Sequence, residues 1–223
     1  MTPTLVLTRP EAQSRAMAAE FADSARVVNA PVMHISGAGA RVDLSGYGGV
    51  ILTSANAVDF APALDGIRVY CVGNRTADAA RARGAEIVLV AQDADALVRE
   101  CESPGPLIHL RGEHARGDVA KRLSLAGIET HEAVIYRQQA RPLSKEARAL
   151  IEGEARVILP LFSPRSARLV GEQVERVGPQ VAAIAMSPAV ASAWEAATGR
   201  SAEVCAEPTG QEMRARISAK LRG

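Results

Sequence analysis

Val50-Ile51-Leu52-Thr53-Ser54-Ala55-Asn56-Ala57-Val58 and Ile158-Leu159-Pro160-Leu161-Phe162-Ser163-Pro164-Arg165-Ser166-Ala167 make one statement twice: an apolar run that breaks into a small polar turn. The echo continues in order. Val69-Tyr70-Cys71-Val72-Gly73-Asn74-Arg75-Thr76-Ala77 is answered by Ala182-Ala183-Ile184-Ala185-Met186-Ser187-Pro188-Ala189, and Gly84-Ala85-Glu86-Ile87-Val88 by Gly199-Arg200-Ser201-Ala202-Glu203-Val204. Asp93 to Val98 is matched by Thr209 to Arg214. Two copies of one α/β layout imply two similar domains, and two domains imply a cleft.

Outward from these copies, short β-branched runs alternate with Ala- and Arg-rich segments, the pattern of βα units around a largely parallel sheet. It predicts strands near 4–8, 26–30, 49–53, 68–72, 86–90, 107–111, 131–136, 156–161, 182–186 and 203–206, with helices between them. Pro10 suits a first helical turn, with Met17 and Phe21 facing inward. Asp93, Asp118 and Thr209 read as helix caps, and Gly84, Gly127 and Gly199 as helix terminators.

Two strands precede the first copy, and their only counterparts ahead of the second are those at 107–111 and 131–136, so an inserted domain is expected. Residues 1–35 plus 139–223 make one discontinuous domain and 36–138 the inserted one. Ser36-Gly37-Ala38-Gly39-Ala40 and Arg137-Gln138-Gln139-Ala140-Arg141-Pro142 have the composition of the two crossings, which together form a two-stranded hinge. Five parallel strands per domain is the flavodoxin-like count, and such sheets bind ligands outside the carboxyl ends of their strands.

The 223 residues, 48% hydrophobic and 23% charged, suffice for one large core or two modest ones. A net charge of +1 gives no global attraction to nucleic acid or to an anionic membrane, and neither is an expected partner. Cys71, Cys101 and Cys205 are odd in number and lack CxxC spacing, which argues for small buried hydrophobes in a reducing compartment. Met1 to Arg9 carries neither a basic leader nor an apolar segment of membrane-spanning length, so a cytoplasmic location is expected.

Thr53-Ser54-Ala55-Asn56, Gly73-Asn74-Arg75-Thr76, Phe162-Ser163-Pro164-Arg165-Ser166 and Ala185-Met186-Ser187 each bring hydroxyls and backbone N–H groups to a helix start. Such turns either cap their helices or attract anions, and four in register would let a cleft hold several carboxylates or phosphates. Arg9 and Arg111, at strand ends in the same layer, suit bidentate clamps on a carboxylate. Alternatively Arg9 pairs with Glu11 or Glu20, and Arg111 lies solvated beside Glu113. Tyr136 stands where the inserted domain hands the chain back, as a proton donor, a hydrogen-bond anchor or an aromatic wedge in the hinge.

Other chemistries find no support. His34, His109, His114 and His131 lack metal-ligand spacing, and neither GxxxxGK[ST] nor a strand-following GxGxxG is present. Ser163 has no GxSxG elbow, and Cys101 falls late in a predicted helix.

Thr8-Arg9-Pro10 with Gln13, Leu52 to Val58, Val72 to Ala77, Leu110-Arg111-Gly112, Val134-Ile135-Tyr136-Arg137, Phe162-Ser163-Pro164 and Pro208-Thr209, in this order, resemble the uroporphyrinogen-III synthase family. The resemblance spans essentially the whole chain and rests on a succession of weak motifs. It implies a cleft that binds hydroxymethylbilane, a linear tetrapyrrole bearing eight carboxylates, between two flavodoxin-like domains. The product is uroporphyrinogen III, formed with loss of water and inversion of ring D and without a cofactor. The proposed route runs through an azafulvene and a spiro intermediate. It also implies a monomer, in transient contact with the preceding pathway enzyme.

Carried over residue by residue, the resemblance places the family's hinge tyrosine on Tyr136, assisting departure of the hydroxyl. It places polar cleft positions on Thr76, Ser163 and Ser187, and further substrate contacts on Ser54, Asn56, Arg111 and Gly112. Arg9 and Ser166 complete the expected binding set. Ala185-Met186-Ser187-Pro188 departs from the family's Gly, Pro and two hydroxyl residues, leaving one hydroxyl and a bulkier approach. Two rival readings keep the fold: a non-catalytic hinge-bending binder of an anionic ligand, and a family member without turnover.

Overall fold

The structure is a computed structural model that describes residues 3–115 and 117–222. The chain divides into two compact units, Met1–His34 with Gln139–Gly223 and Ile35–Gln138. It runs through β1 (Thr4–Leu7), α1 (Glu11–Phe21), β2 (Arg26–Asn29), β3 (Met33–Gly37), β4 (Gly49–Leu52), α2 (Ala55–Phe60), β5 (Arg68–Val72) and α3 (Asn74–Arg81). Then follow β6 (Glu86–Ala91), α4 (Ala94–Glu100), β7 (Leu107–Gly112), α5 (Val119–Leu125) and β8 (Thr130–Ala140). The return supplies α6 (Lys145–Glu152), β9 (Val157–Leu161), α7 (Pro164–Gly171), β10 (Val181–Ala185), α8 (Pro188–Thr198), β11 (Glu203–Val204) and α9 (Gly210–Arg222).

The continuous apolar runs of the sequence are strands buried on both faces. Successive side chains of a strand point to opposite sides. In β1, Val6 joins the layer of Leu159, Val170 and Trp194, while Leu5 and Leu7 join that of Met17, Phe21 and Ile217. In β4, Val50 and Leu52 pack with Val69 and Leu110, and Ile51 packs with Tyr70, Leu97 and Leu123. Each such burial contributes about 1.5–3 kcal/mol, which is why both faces of each sheet acquire helices.

The first unit holds a sheet ordered β11-β10-β9-β1-β2, and the second a sheet ordered β3-β8-β7-β4-β5-β6. β4, β5 and β6 take the lateral places that β9, β10 and β11 take in the other unit, so the repeat read in the sequence is kept in space. β7 and β8 occupy the places of β1 and β2. The inserted unit is therefore the same layout threaded in permuted order. The pairs β1–β2, β1–β9, β9–β10 and β10–β11 are parallel, as are β4–β5, β4–β7, β5–β6 and β7–β8. Within each of these parallel sets the strands end on one side.

Two expectations need correction. The described residues of the second sheet form six strands rather than five, because β3 adds to its edge beside β8. Ser36-Gly37, read as the start of one crossing, closes β3, and 137–140, read as the start of the other, continues β8. Met33 and Ile35 are apolar positions with His34 between them, and the strand edge of β8 supplies backbone partners, as in the Ala38 N–H bond to the Ile135 carbonyl at 2.9 Å. Asp118 precedes α5 but its side chain makes no capping bond, because φ of 43° removes the extended geometry a cap requires. Asp93 caps α4 through the Ala96 N–H at 2.8 Å, and Thr209 accepts from the Glu212 N–H at 3.2 Å.

Candidate functional site

A polar turn follows almost every strand end of the inserted unit, because each crossover starts a helix there. After β4, Ser54 is extended and its hydroxyl accepts the Asn56 N–H at 3.3 Å, capping α2. After β5, Gly73 turns into α3 at φ of 80°, a left-handed conformation that glycine adopts without strain. A pocket of about 290 Å³ opens on these ends, lined by Thr53, Ser54, Gly112, His114, Tyr136 and Gln138, with Val72, Ala94 and Ala115 as its apolar part. Its described lining carries no carboxylate, lysine or arginine. It sits at the carboxyl ends of the paired strands β4 and β7, where the strand order reverses, the usual ligand position in doubly wound sheets.

Tyr136 is only 3% exposed, and its ring stacks on Phe60 at a centroid distance of 5.8 Å and 19° between planes. Gly112 is its register partner on β7, next to a register shift at Arg111/Gly112. A Cβ at Gly112 would lie 2.5 Å from the Tyr136 Cζ and 2.8 Å from its hydroxyl oxygen. Gly112, expected as a substrate contact, thus leaves room for the tyrosine ring at the pocket wall.

Arg111 points its fork at Glu132, with Nη2 at 2.8 Å and Nε at 2.9 Å from Oε2, and its Nη1 donates to the Gly112 carbonyl at 3.1 Å. The partner is Glu132 rather than a solvated position beside Glu113, because β8 lies in register beside β7 with Glu132 opposite His109. Asn56 lies in the first turn of α2. Thr76 is 4% exposed on the inner face of α3 with Ala77 and Ala80, so helical periodicity turns it toward the core.

In the first unit, the Arg9 guanidinium lies 4.1 Å from the centre of the Phe162 ring, a cation–π contact across the β1 and β9 ends. The acidic neighbours considered for Arg9 have other partners: Glu11 holds Arg15 at 2.9 Å and Glu20 faces Arg214 at 3.5 Å. Ser163 caps α7 by accepting the Ser166 N–H at 3.1 Å, and the two hydroxyls meet at 2.8 Å. Ser187 occupies the same place at α8 yet makes no side-chain capping bond, with Pro188 following. Met186 packs against both apolar layers of its unit, so the departure at Ala185-Met186 is taken up by the core.

Thr53, read only as part of a polar turn, and His109, set aside as a metal ligand, meet at the pocket, whose lining also includes His114 and Gln138, outside the expected set. Thr53 lines the wall, and its hydroxyl is 3.1 Å from Nε2 of His109, a histidine 1% exposed in the middle of β7. Burial pushes the His109 pKa down to about 4, against an opposing pull from Glu132, so the ring is neutral at ordinary pH. Its Nδ1 lies 3.9 Å from Glu132 Oε1 and has no hydrogen-bond partner. The available signal was a single polar residue inside Leu107-Ile108-His109-Leu110. Among the described residues no group of three or more His, Cys, Asp or Glu is placed to hold a metal ion. No helix among them is long and apolar enough to cross a membrane.

Comparison with known proteins adds the following. A family model described as uroporphyrinogen-III synthase HemD matches residues 16–215. No curated protein sequence matches significantly. A crystal structure of uroporphyrinogen-III synthetase from Helicobacter pylori 26695 superposes with a TM-score of 0.71 at 15% identity, covering 98% of this chain and 99% of that one. A mutant uroporphyrinogen III synthase from the extremely thermophilic bacterium Thermus thermophilus gives a TM-score of 0.59 at 14% identity, covering 99% of both chains.

Proposed function

This chain belongs to the uroporphyrinogen-III synthase family, a family of cyclising lyases in tetrapyrrole biosynthesis, and from that premise we propose how its residues serve the reaction. Hydroxymethylbilane is the substrate, closed to uroporphyrinogen III with loss of water and inversion of ring D. The observation that carries this reading is the family match over residues 16–215, which takes in every described strand except β1 and every pocket-lining residue named above.

A pocket of about 290 Å³ is small beside typical ligand sites of about 300–1,000 Å³, so it accommodates part of a tetrapyrrole rather than the whole. The part we assign to it carries the reacting terminus, with the Tyr136 phenol at the wall to hydrogen-bond the departing hydroxyl. Loss of water gives the azafulvene, attack on the substituted carbon of ring D gives the spiro intermediate, and fragmentation and reclosure give the inverted ring. Uncatalysed closure gives the uninverted isomer, so catalysis consists largely in holding the chain in the geometry for the other attack. A polar wall without lysine or arginine suits that task, since it offers hydrogen bonds without an ammonium or guanidinium that would attract a carboxylate into the reacting site.

The remaining residues are assigned as substrate contacts: Ser54, Asn56, Arg111 and Gly112 of the inserted unit, and Arg9, Ser163 and Ser187 of the other; Thr76 and Ser166, both buried, support the turns that carry them. The Ser187 hydroxyl is the strongest of these, because helix capping does not engage it. The protein works as a cytoplasmic monomer, in transient contact with the preceding enzyme of the pathway. The test is chromatography of the oxidised products from freshly made hydroxymethylbilane. Type III isomer above a no-enzyme control is expected, and type I alone would end the reading.

A further inference from the structure

His109 is costly where it stands. An imidazole in an apolar strand, 1% exposed, gives up its hydration, and one of its two nitrogens recovers nothing. What it gains is one hydrogen bond, between Nε2 and the Thr53 hydroxyl at 3.1 Å. Thr53 is not a core residue. It is half-buried at the end of β4 and forms part of the pocket wall with Ser54 and Tyr136. A histidine that served packing alone would be replaced by leucine at a gain in burial.

We propose that His109 is a positioning residue that fixes the Thr53 side chain so that its hydroxyl presents one hydrogen-bonding valence to the substrate ring held in the pocket. The proposal rests on the synthase reading and names a contact within its site. A threonine side chain has few χ1 wells, and a bond from the oxygen to a buried partner selects one of them. The selection works in either neutral tautomer. With the proton on Nε2, the ring donates and the Thr53 proton is left for the pocket. With the proton on Nδ1, Thr53 donates to the ring and its lone pairs are left to accept a pyrrole N–H.

Burial keeps the imidazole neutral against the carboxylate that faces it. Burial lowers its pKa to about 4, Arg111 acts in the same direction, and Glu132, itself held by Arg111, acts in the opposite one. A charged ring is thereby excluded from the wall of a pocket whose described lining has no Asp, Glu, Lys or Arg.

The experiment is a double-mutant cycle read by isomer chromatography, with kcat and KM determined per folded molecule and melting curves recorded for each variant. Thr53→Val removes the hydroxyl at constant shape, and His109→Leu removes its partner. Each is expected to lower kcat about tenfold with a smaller change in KM, and the double variant to be within about threefold of either single one. His109→Gln, whose amide donates or accepts near the Nε2 position, is expected to recover most of the loss. Additive single losses, a His109→Leu enzyme with wild-type kcat, or a Gln variant as slow as Leu would overturn the proposal while leaving the synthase reading intact. A wild-type chain yielding only the type I isomer would overturn both.

Discussion

Replacing Gly112 with alanine puts a methyl group into the space that the Tyr136 ring occupies. The new carbon would lie 2.5 Å from Cζ, 2.6 Å from Cε2 and 2.8 Å from the hydroxyl oxygen. Ordinary carbon contacts begin near about 3.5 Å, so the ring must retreat by about 1 Å. It has little slack, being 3% exposed and stacked on Phe60. Gly112 is not among the positive-φ positions, so alanine brings no backbone strain and the effect is transmitted through the tyrosine alone. Overpacking of this kind costs about 1–3 kcal/mol, at roughly 2–4 °C of Tm per kcal/mol for a chain of this size. A reacting group displaced by about 1 Å costs on the order of a hundredfold in rate. Gly112→Ala should therefore fold, melt several degrees lower and lose about two orders of magnitude in kcat, measured by product chromatography beside circular-dichroism melting. Wild-type turnover with a lowered Tm would show that the ring moved without consequence, and would remove Tyr136 from the reaction.

Other expectations follow the same geometry. Tyr136→Phe keeps the stacking on Phe60 and should lower kcat roughly ten- to a hundredfold with little loss of Tm; an equal loss of folding would return Tyr136 to packing. Ser163→Ala removes an α7 cap and should cost about 1 kcal/mol, whereas Ser187→Ala should leave Tm unchanged and raise KM, a contrast that parallel melts and kinetics check. His109 is neutral in the fold with a pKa of about 4 against 6.5 in the open chain, so its contribution is intact above pH 6.5 and is lost as pH falls toward 4. Denaturant titrations at pH 7 and 5 should show wild type losing about 2 kcal/mol more than His109→Gln over that interval, and equal losses would contradict the buried neutral ring.

What the sequence could show and what it could not divide along physical lines. The two faces of β1 and β4 are visible in the apolar runs, and the caps at Asp93 and Thr209 are local signals within three residues of their partners. β3 was hidden because Ser36 and Gly37 carry turn composition, and the pairing with β8 that makes them a strand joins residues about a hundred positions away in the chain. The Thr53–His109 contact spans 56 residues and exists only because β4 lies beside β7. Arg111 was correctly placed at a strand end, yet its fork is set by Glu132, whose position depends on the register of β8. Thr76 and Ser187 show the limit of turn chemistry. Both sit at helix starts after a strand, but periodicity buries the first while the second keeps a hydroxyl outside the capping bond.

The central claim is that this fold steers closure of a linear tetrapyrrole to the inverted isomer with its own side chains. The direct measurement is the isomer ratio formed from fresh hydroxymethylbilane by protein dialysed against chelator, with no metal or cofactor added. The account predicts a product dominated by type III at a rate well above spontaneous closure. A product ratio equal to that of the no-enzyme control would contradict it.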